Sequence, residues 1–149
     1  MKSFFNGLNM MIAENYICEK DFLFLVDANR PLSPSSQYKE LLERALVSNC
    51  ACPVREIVDG IAHINENKII EIPAKNEYVH FVTPEVIKYS VLKESLLKVK
   101  KDFNSLVEYA LSINCIPSYV ISTELNHKLT YKEDLTFFDQ LVEKYNIDF

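Results

Sequence analysis

Apolar residues in the first sixteen positions recur at helical spacing. Phe4, Phe5, Leu8, Met11, Ile12 and Tyr16 form one stripe opposite Asn6, Asn9, Glu14 and Asn15, which predicts a helix despite Gly7. The continuous run Phe22-Leu23-Phe24-Leu25-Val26 is bounded by Lys20-Asp21 and by Asp27-Ala28-Asn29-Arg30-Pro31, and reads as a short buried strand. A loop from Pro31 to Ser36 leads into a helical face of Tyr38, Leu41, Leu42, Ala45 and Leu46. Pro53 suits a first helical position, with Val54, Ile57, Val58, Ile61 and Ile64 on the face that follows, and the chain turns at Asn65-Glu66-Asn67.

Farther on, Lys68 to Pro73 and Tyr78 to Val82 are β-rich and read as the two arms of a hairpin. Thr83-Pro84-Glu85 has the order of cap, proline and acid that opens a helix, and the apolar positions from Val86 to Ala110 then run without a breaker, predicting one long helix reaching Ile113. Tyr119-Val120-Ile121 is a short strand, and Thr130-Tyr131-Lys132-Glu133 is a capping-box pattern before a last helix through Leu135, Phe138, Leu141, Val142 and Tyr145. The fold class expected is α+β, or α/β. It is a helix-rich single globular domain over residues 1–149, with about five helices around three or four short strands.

Composition narrows the picture. With 48% hydrophobic and 25% charged residues the chain has the means to bury a core, which excludes a disordered protein. No stretch approaches the roughly 20 apolar residues that span a bilayer, and the start lacks a cleavage signal, so a cytoplasmic location is expected. Cys18, Cys50, Cys52 and Cys115 have no framework spacing and read as free thiols. A net charge of -5 argues against broad nucleic-acid binding, which needs a basic field.

Few residues carry recognisable chemistry. Cys50-x-Cys52 with a distant His63 lacks the paired spacing of a zinc site, and burial of the thiols is the better account. His80 alternates with Val79 and Phe81 on a strand and belongs to its polar face, while His127 sits in a loop near Glu124. With two glycines in the chain there is no phosphate-cradling loop. Asp27 follows a buried strand, the place where ligands bind many sheets, although a turn-forming acid is the more economical account.

The sequence Val26-Asp27-Ala28-Asn29 resembles the start of PIN-like nucleases, whose first strand ends in an Asp with an Asn two residues on. Glu56, in Cys52-Pro53-Val54-Arg55-Glu56-Ile57, matches that family's second acidic position. The resemblance implies hydrolysis of RNA by clustered carboxylates holding Mg²⁺ or Mn²⁺, with Asp27 and Glu56 as ligands. It departs from the family at two places: Asp102, the candidate third acid, falls inside the long helical pattern, and Glu124 stands where the family favours Asp.

The charge layout points elsewhere. Lysines 88, 93, 98, 100 and 101 populate the long helical pattern, and Glu133, Asp134, Asp139, Glu143 and Asp148 gather toward the C-terminus. Tyr131, Phe137, Phe138 and Tyr145 stand among these acids, as aromatic anchors do inside a charged rim. The favoured expectation is a non-catalytic, acidic inhibitor of the immunity or antitoxin type. It would need no cofactor and would meet a basic toxin nuclease through Glu133, Asp134, Phe137, Asp139 and Glu143. The PIN-like ribonuclease is the alternative.

Overall fold

A computed structural model of the chain describes residues 1–147. The elements run α1 (Lys2–Ala13), β1 (Phe22–Leu25), α2 (Ser35–Ser48), β2 (Cys50–Glu56), β3 (His63–Asn65), β4 (Lys68–Glu71) and β5 (Val79–Phe81). They continue with β6 (Glu85–Lys88), α3 (Tyr89–Lys98), α4 (Leu106–Leu111), β7 (Ser118–Ile121) and α5 (Asp134–Tyr145). Five strands make one sheet in which β2 is central: β6 and then β5 pair antiparallel along one of its sides, β7 parallel along the other, and β1 lies outside β6. The fold is thus a mixed α/β architecture with five helices among the described residues, and with more strands than the expected three or four.

Side-chain alternation explains why the sheet is covered on both faces. Leu23, Cys50 and Ile87 point to one side, where Leu8 of α1, Leu92 of α3, and Leu106, Tyr109 and Ala110 of α4 close over them. Their neighbours Phe22, Phe24, Ala51 and Val86, with Val120 of β7, point to the other side against Leu41 and Ala45 of α2. A strand buried on both faces needs apolar residues at every position, which is why β1 reads as an unbroken apolar run.

Three expectations are corrected here. The helix expected from Pro53 is strand β2. Pro53 falls where β2 passes from β6, paired at Ala51, to β5, paired at Val54. At that gap its missing N–H interrupts no ladder pair, and its carbonyl still accepts the Val82 N–H at 2.9 Å. The long helix is three elements, because Val86 and Ile87 are successive strand residues facing opposite cores. The helical part also stops before Lys100-Lys101-Asp102, and Ser105 opens α4 afresh by accepting the Glu108 N–H at 3.1 Å. The expected hairpin arms do not pair with each other. Instead β4 pairs β3 across Glu66 and Asn67, whose φ values of 46° and 63° fit the tight turn that suits a two-residue connection, and β5 pairs β2.

The segments expected at β1, β7, α1 and α2 form as read, as does the last helix. Its start is held differently: the Asp134 carboxylate, rather than a Thr130–Glu133 box, accepts the N–H groups of Thr130 and Tyr131 at 2.7 and 2.8 Å. No helix among the described residues is long and apolar enough to cross a membrane.

Candidate functional site

β1 and β7 end, and β6 begins, at the same edge of the sheet, so three connections converge there. Beyond β1 the chain turns tightly, with the Arg30 N–H donating to the Asp27 carbonyl at 3.1 Å. Asn29 then exchanges two hydrogen bonds with Leu129: its side-chain amide donates to the Leu129 carbonyl at 2.9 Å, and the Leu129 N–H donates to the Asn29 carbonyl at 2.8 Å. That clamp lays the segment after β7 along the turn and brings Lys128 Nζ to 3.1 Å from Asp27 Oδ2. Arg30 Nε approaches the same oxygen at 3.5 Å.

Asn126 braces the group from beneath. Fully buried, it donates from Nδ2 to the Thr83 carbonyl at 2.8 Å and to Ser122 Oγ at 3.0 Å, and accepts from Ser33 Oγ at 2.6 Å. One side chain therefore ties the connections after β1, before β6 and after β7. Its backbone carbonyl accepts from Arg30 Nη1 at 2.8 Å and also from Arg55, while Arg30 Nε donates to Thr83 Oγ1 at 2.8 Å. Arg30, 8% exposed, is thus fixed by oriented acceptors rather than by a single ion pair.

Asp27, Arg30, Thr83 and Lys128 line a cleft of about 320 Å³, with Glu85 and Glu108 on its wall. Burial on its own raises the pKa of Asp27, but hydrogen bonds from Lys128 and Thr83 and the charges of Lys128 and Arg30 outweigh it and hold the carboxyl below its ordinary value. Glu85, 2% exposed, behaves oppositely: burial pushes its pKa up to about 7, against the opposing pull of the Val107 and Leu106 N–H groups at the start of α4. The held Arg30 and the half-exposed Lys128 set two cations on one carboxylate at the ends of sheet strands, an arrangement that can receive an anionic group.

Of the four acids read as candidate catalytic residues, only Asp27 lies in this cleft. Glu56 ends β2 and lines a separate hollow with Tyr78, Tyr119 and Ile121. Asp102 is exposed between α3 and α4, and Glu124 is exposed beyond β7, paired with Lys144 and Tyr145. Among the described residues no group of three His, Cys, Asp or Glu side chains is placed to hold a metal ion.

On α5, Asp134 serves the helix start and lies 3.7 Å from His127, and the Phe137 ring packs edge-on against His127 at 4.7 Å. Glu133, Asp139 and Glu143 face solvent, and Asp148 is outside the described residues. Cys50 and Cys52 are buried free thiols, as expected, and His63 stands apart in the β3–β4 hairpin beside Glu71. His80 is exposed on β5. The sequence reading missed Arg30, Thr83, Glu85, Asn126 and Lys128. The one local signal was Arg30, three residues after Asp27 beyond a buried strand; Lys128 and Asn126 lie in no pattern.

By fold and site the molecule is a mixed α/β protein with a charged cleft at its strand ends. The chain belongs to the family described as IspD: 2-C-methyl-D-erythritol 4-phosphate cytidylyltransferase, matched over residues 1–144. It is 26% identical over 127 residues to the 2-C-methyl-D-erythritol 4-phosphate cytidylyltransferase of Caldicellulosiruptor saccharolyticus, covering 84% of this chain and 56% of that protein. It is 27% identical over 132 residues to the bifunctional ribulose 5-phosphate reductase/CDP-ribitol pyrophosphorylase Bcs1 of Haemophilus influenzae, covering 84% of this chain and 28% of that one. The fold matches a crystal structure of 4-diphosphocytidyl-2C-methyl-D-erythritol synthase with a TM-score of 0.77 at 18% identity, over 92% of this chain and 64% of the other. The structure of the Thermus thermophilus cytidylyltransferase matches with a TM-score of 0.72 at 16% identity, over 89% and 67% of the two chains. The chain spans little more than half the length of its first curated relative.

Membership in this family overturns both functional expectations and the leaning away from an enzyme. The inhibitor reading rested on the acids and aromatics of α5, but Asp134 and Phe137 have local partners in the loop that carries Lys128, and the relatives are nucleotidyltransferases. A basic toxin nuclease as partner goes with it. The PIN-like ribonuclease fails because its acids are dispersed.

Proposed function

We propose that the cleft binds the phosphate of a phosphorylated polyol and that the chain supplies the acceptor side of a cytidylyl transfer. The observation that carries this reading is the Asp27–Arg30–Lys128 group, two cations ordered around one carboxylate in the cleft wall. Lys128 offers a half-exposed point charge, and Arg30, whose Nε and Nη1 are held by Thr83 and the Asn126 carbonyl, adds its fixed charge and its remaining N–H donors. Because Asp27 and Asn126 already fix the guanidinium, little ordering is left for ligand binding to impose.

In transfer to 2-C-methyl-D-erythritol 4-phosphate, an oxygen of the acceptor phosphate attacks the α-phosphorus of cytidine triphosphate. The bond to the β-phosphate breaks, and pyrophosphate leaves with the electron pair. The attack brings two anions together, so the contribution of Arg30 and Lys128 is to offset that repulsion and to aim the attacking oxygen.

Calorimetric titration with 2-C-methyl-D-erythritol 4-phosphate tests the assignment. Lys128→Ala is expected to weaken binding roughly 10- to 100-fold, the worth of a charge-assisted hydrogen bond, while leaving the unfolding midpoint unchanged because the ammonium is half-exposed. A wild-type chain that binds nothing, or equal affinity in the variant, would remove the cleft from this role.

A further inference from the structure

The cleft holds more negative than positive side chains. Asp27, Glu85 and Glu108 line it together with Arg30 and Lys128. Asp27 is committed to the two cations, and Glu108 turns to the α4 start, accepting the Asn104 N–H at 2.9 Å. Glu85 has neither arrangement. It opens β6 opposite Leu25, is 2% exposed, and its Oε2 accepts the Val107 N–H at 2.9 Å, with no cation paired to it among the described residues.

We propose that Glu85 is the proton-linked residue of this cleft: a phosphorylated ligand seated at Arg30 and Lys128 binds together with one proton taken from solvent by the Glu85 carboxylate. The inference rests on the phosphate-binding reading above. A doubly charged phosphate adds like charge to a wall that already carries three carboxylates, and the acid whose ionised form is held least well is the one that protonates. Burial without a counter-ion makes that acid Glu85, and its pKa near 7 in the free protein agrees.

The groups facing Glu85 act in the same sense. Glu108 from α4 and Asp27 from beyond β1 both oppose its ionisation, and the thiols of Cys50 and Cys52 approach it from β2 without charge, their own pKa values being raised by burial. No titratable side chain of α2 or α3 figures among the charges acting on it. Arg30 and Lys128 line the same cleft and are matched by Asp27 and, on ligand binding, by the phosphate. The chemistry is a simple protonation: one solvent proton joins a carboxylate oxygen to give the neutral acid, so the site's own groups lose one negative charge and a doubly charged anion adds only one net negative charge to the cleft.

The experiment is isothermal titration of the chain with 2-C-methyl-D-erythritol 4-phosphate at pH 8 in buffers of different ionisation enthalpy, for wild type and Glu85→Gln. At that pH the free phosphate is already doubly charged, so protons counted belong to the protein. Glutamine keeps an acceptor for the Val107 N–H. The wild type is expected to take up roughly half to one proton per ligand and the variant none. Uptake that persists in Glu85→Gln assigns the proton to another group and overturns the proposal. Binding by the wild type without uptake overturns it as well while leaving the phosphate cleft standing. Absence of wild-type binding removes the cleft reading and this inference with it.

Discussion

Asn126 carries no charge and belongs to no sequence pattern, yet its amide touches the connections before β6 and after β7 and its oxygen the one after β1. Around it, Arg30 and Lys128 are placed by hydrogen bonds from residues close to a hundred positions away, which is why local reading found Asp27 and not its partners. Glu85 shows the same dependence on surroundings. As a sequence feature it looked like an acid in a first helical turn; in the fold it is a buried strand residue with a pKa raised from 4.5 to about 7.

A raised carboxyl pKa has a definite sign in stability. Between the unfolded value and the folded one, the native chain holds a proton that the unfolded chain has released, so stability falls as pH rises through that window and is lowest above it. The full shift corresponds to about 3 kcal/mol. Urea unfolding of Glu85→Gln is therefore expected to match wild type near pH 5 and to exceed it at pH 8 by up to about 3 kcal/mol. Parallel pH profiles for the two proteins would place the titration elsewhere.

Elements differ sharply in what holds them. β2 is paired on both sides and buried over most of its length, whereas β3 and β4 form a two-stranded hairpin exposed at every position, with Ile64, Ile69 and Ile70 open to solvent. An isolated two-stranded hairpin is marginal in water. Hydrogen exchange on the chain alone is expected to show the β3 and β4 amides exchanging orders of magnitude faster than those of β2 and β6, through local opening. Equal protection would mean that something covers the hairpin.

Elements whose pattern is self-contained were legible before the fold was known. The amphipathic stripe of α1, the apolar run of β1 and the start of α2 each carry their period within one segment, and each formed where expected. β2 and β6 were misread because a strand buried on both faces has no alternation to display, and Pro53 and Pro84 sat where helix-opening prolines sit. α3 and α4 were fused because Phe103 happened to extend the stripe across a loop.

The two core clusters, around Leu92 and Leu41, lie on opposite faces of the same strands and share the sheet between them. The molecule is accordingly expected to unfold as one unit. Leu41→Ala and Leu92→Ala, each removing a fully buried side chain, should both cost about 3 kcal/mol and shift one common transition. Circular dichroism and tyrosine fluorescence in urea should give coincident transitions in both variants, and separated transitions would show the layers to be independent.

Periodicity and composition were enough to predict a mixed α/β protein with free thiols and an acid beyond a buried strand, because burial and turn preference act over a few residues. Strand order, the handover of β2 from β6 to β5 and the meeting of Asp27 with Lys128 depend on contacts between distant segments. Those contacts are set by which faces pack together, and no single segment encodes them.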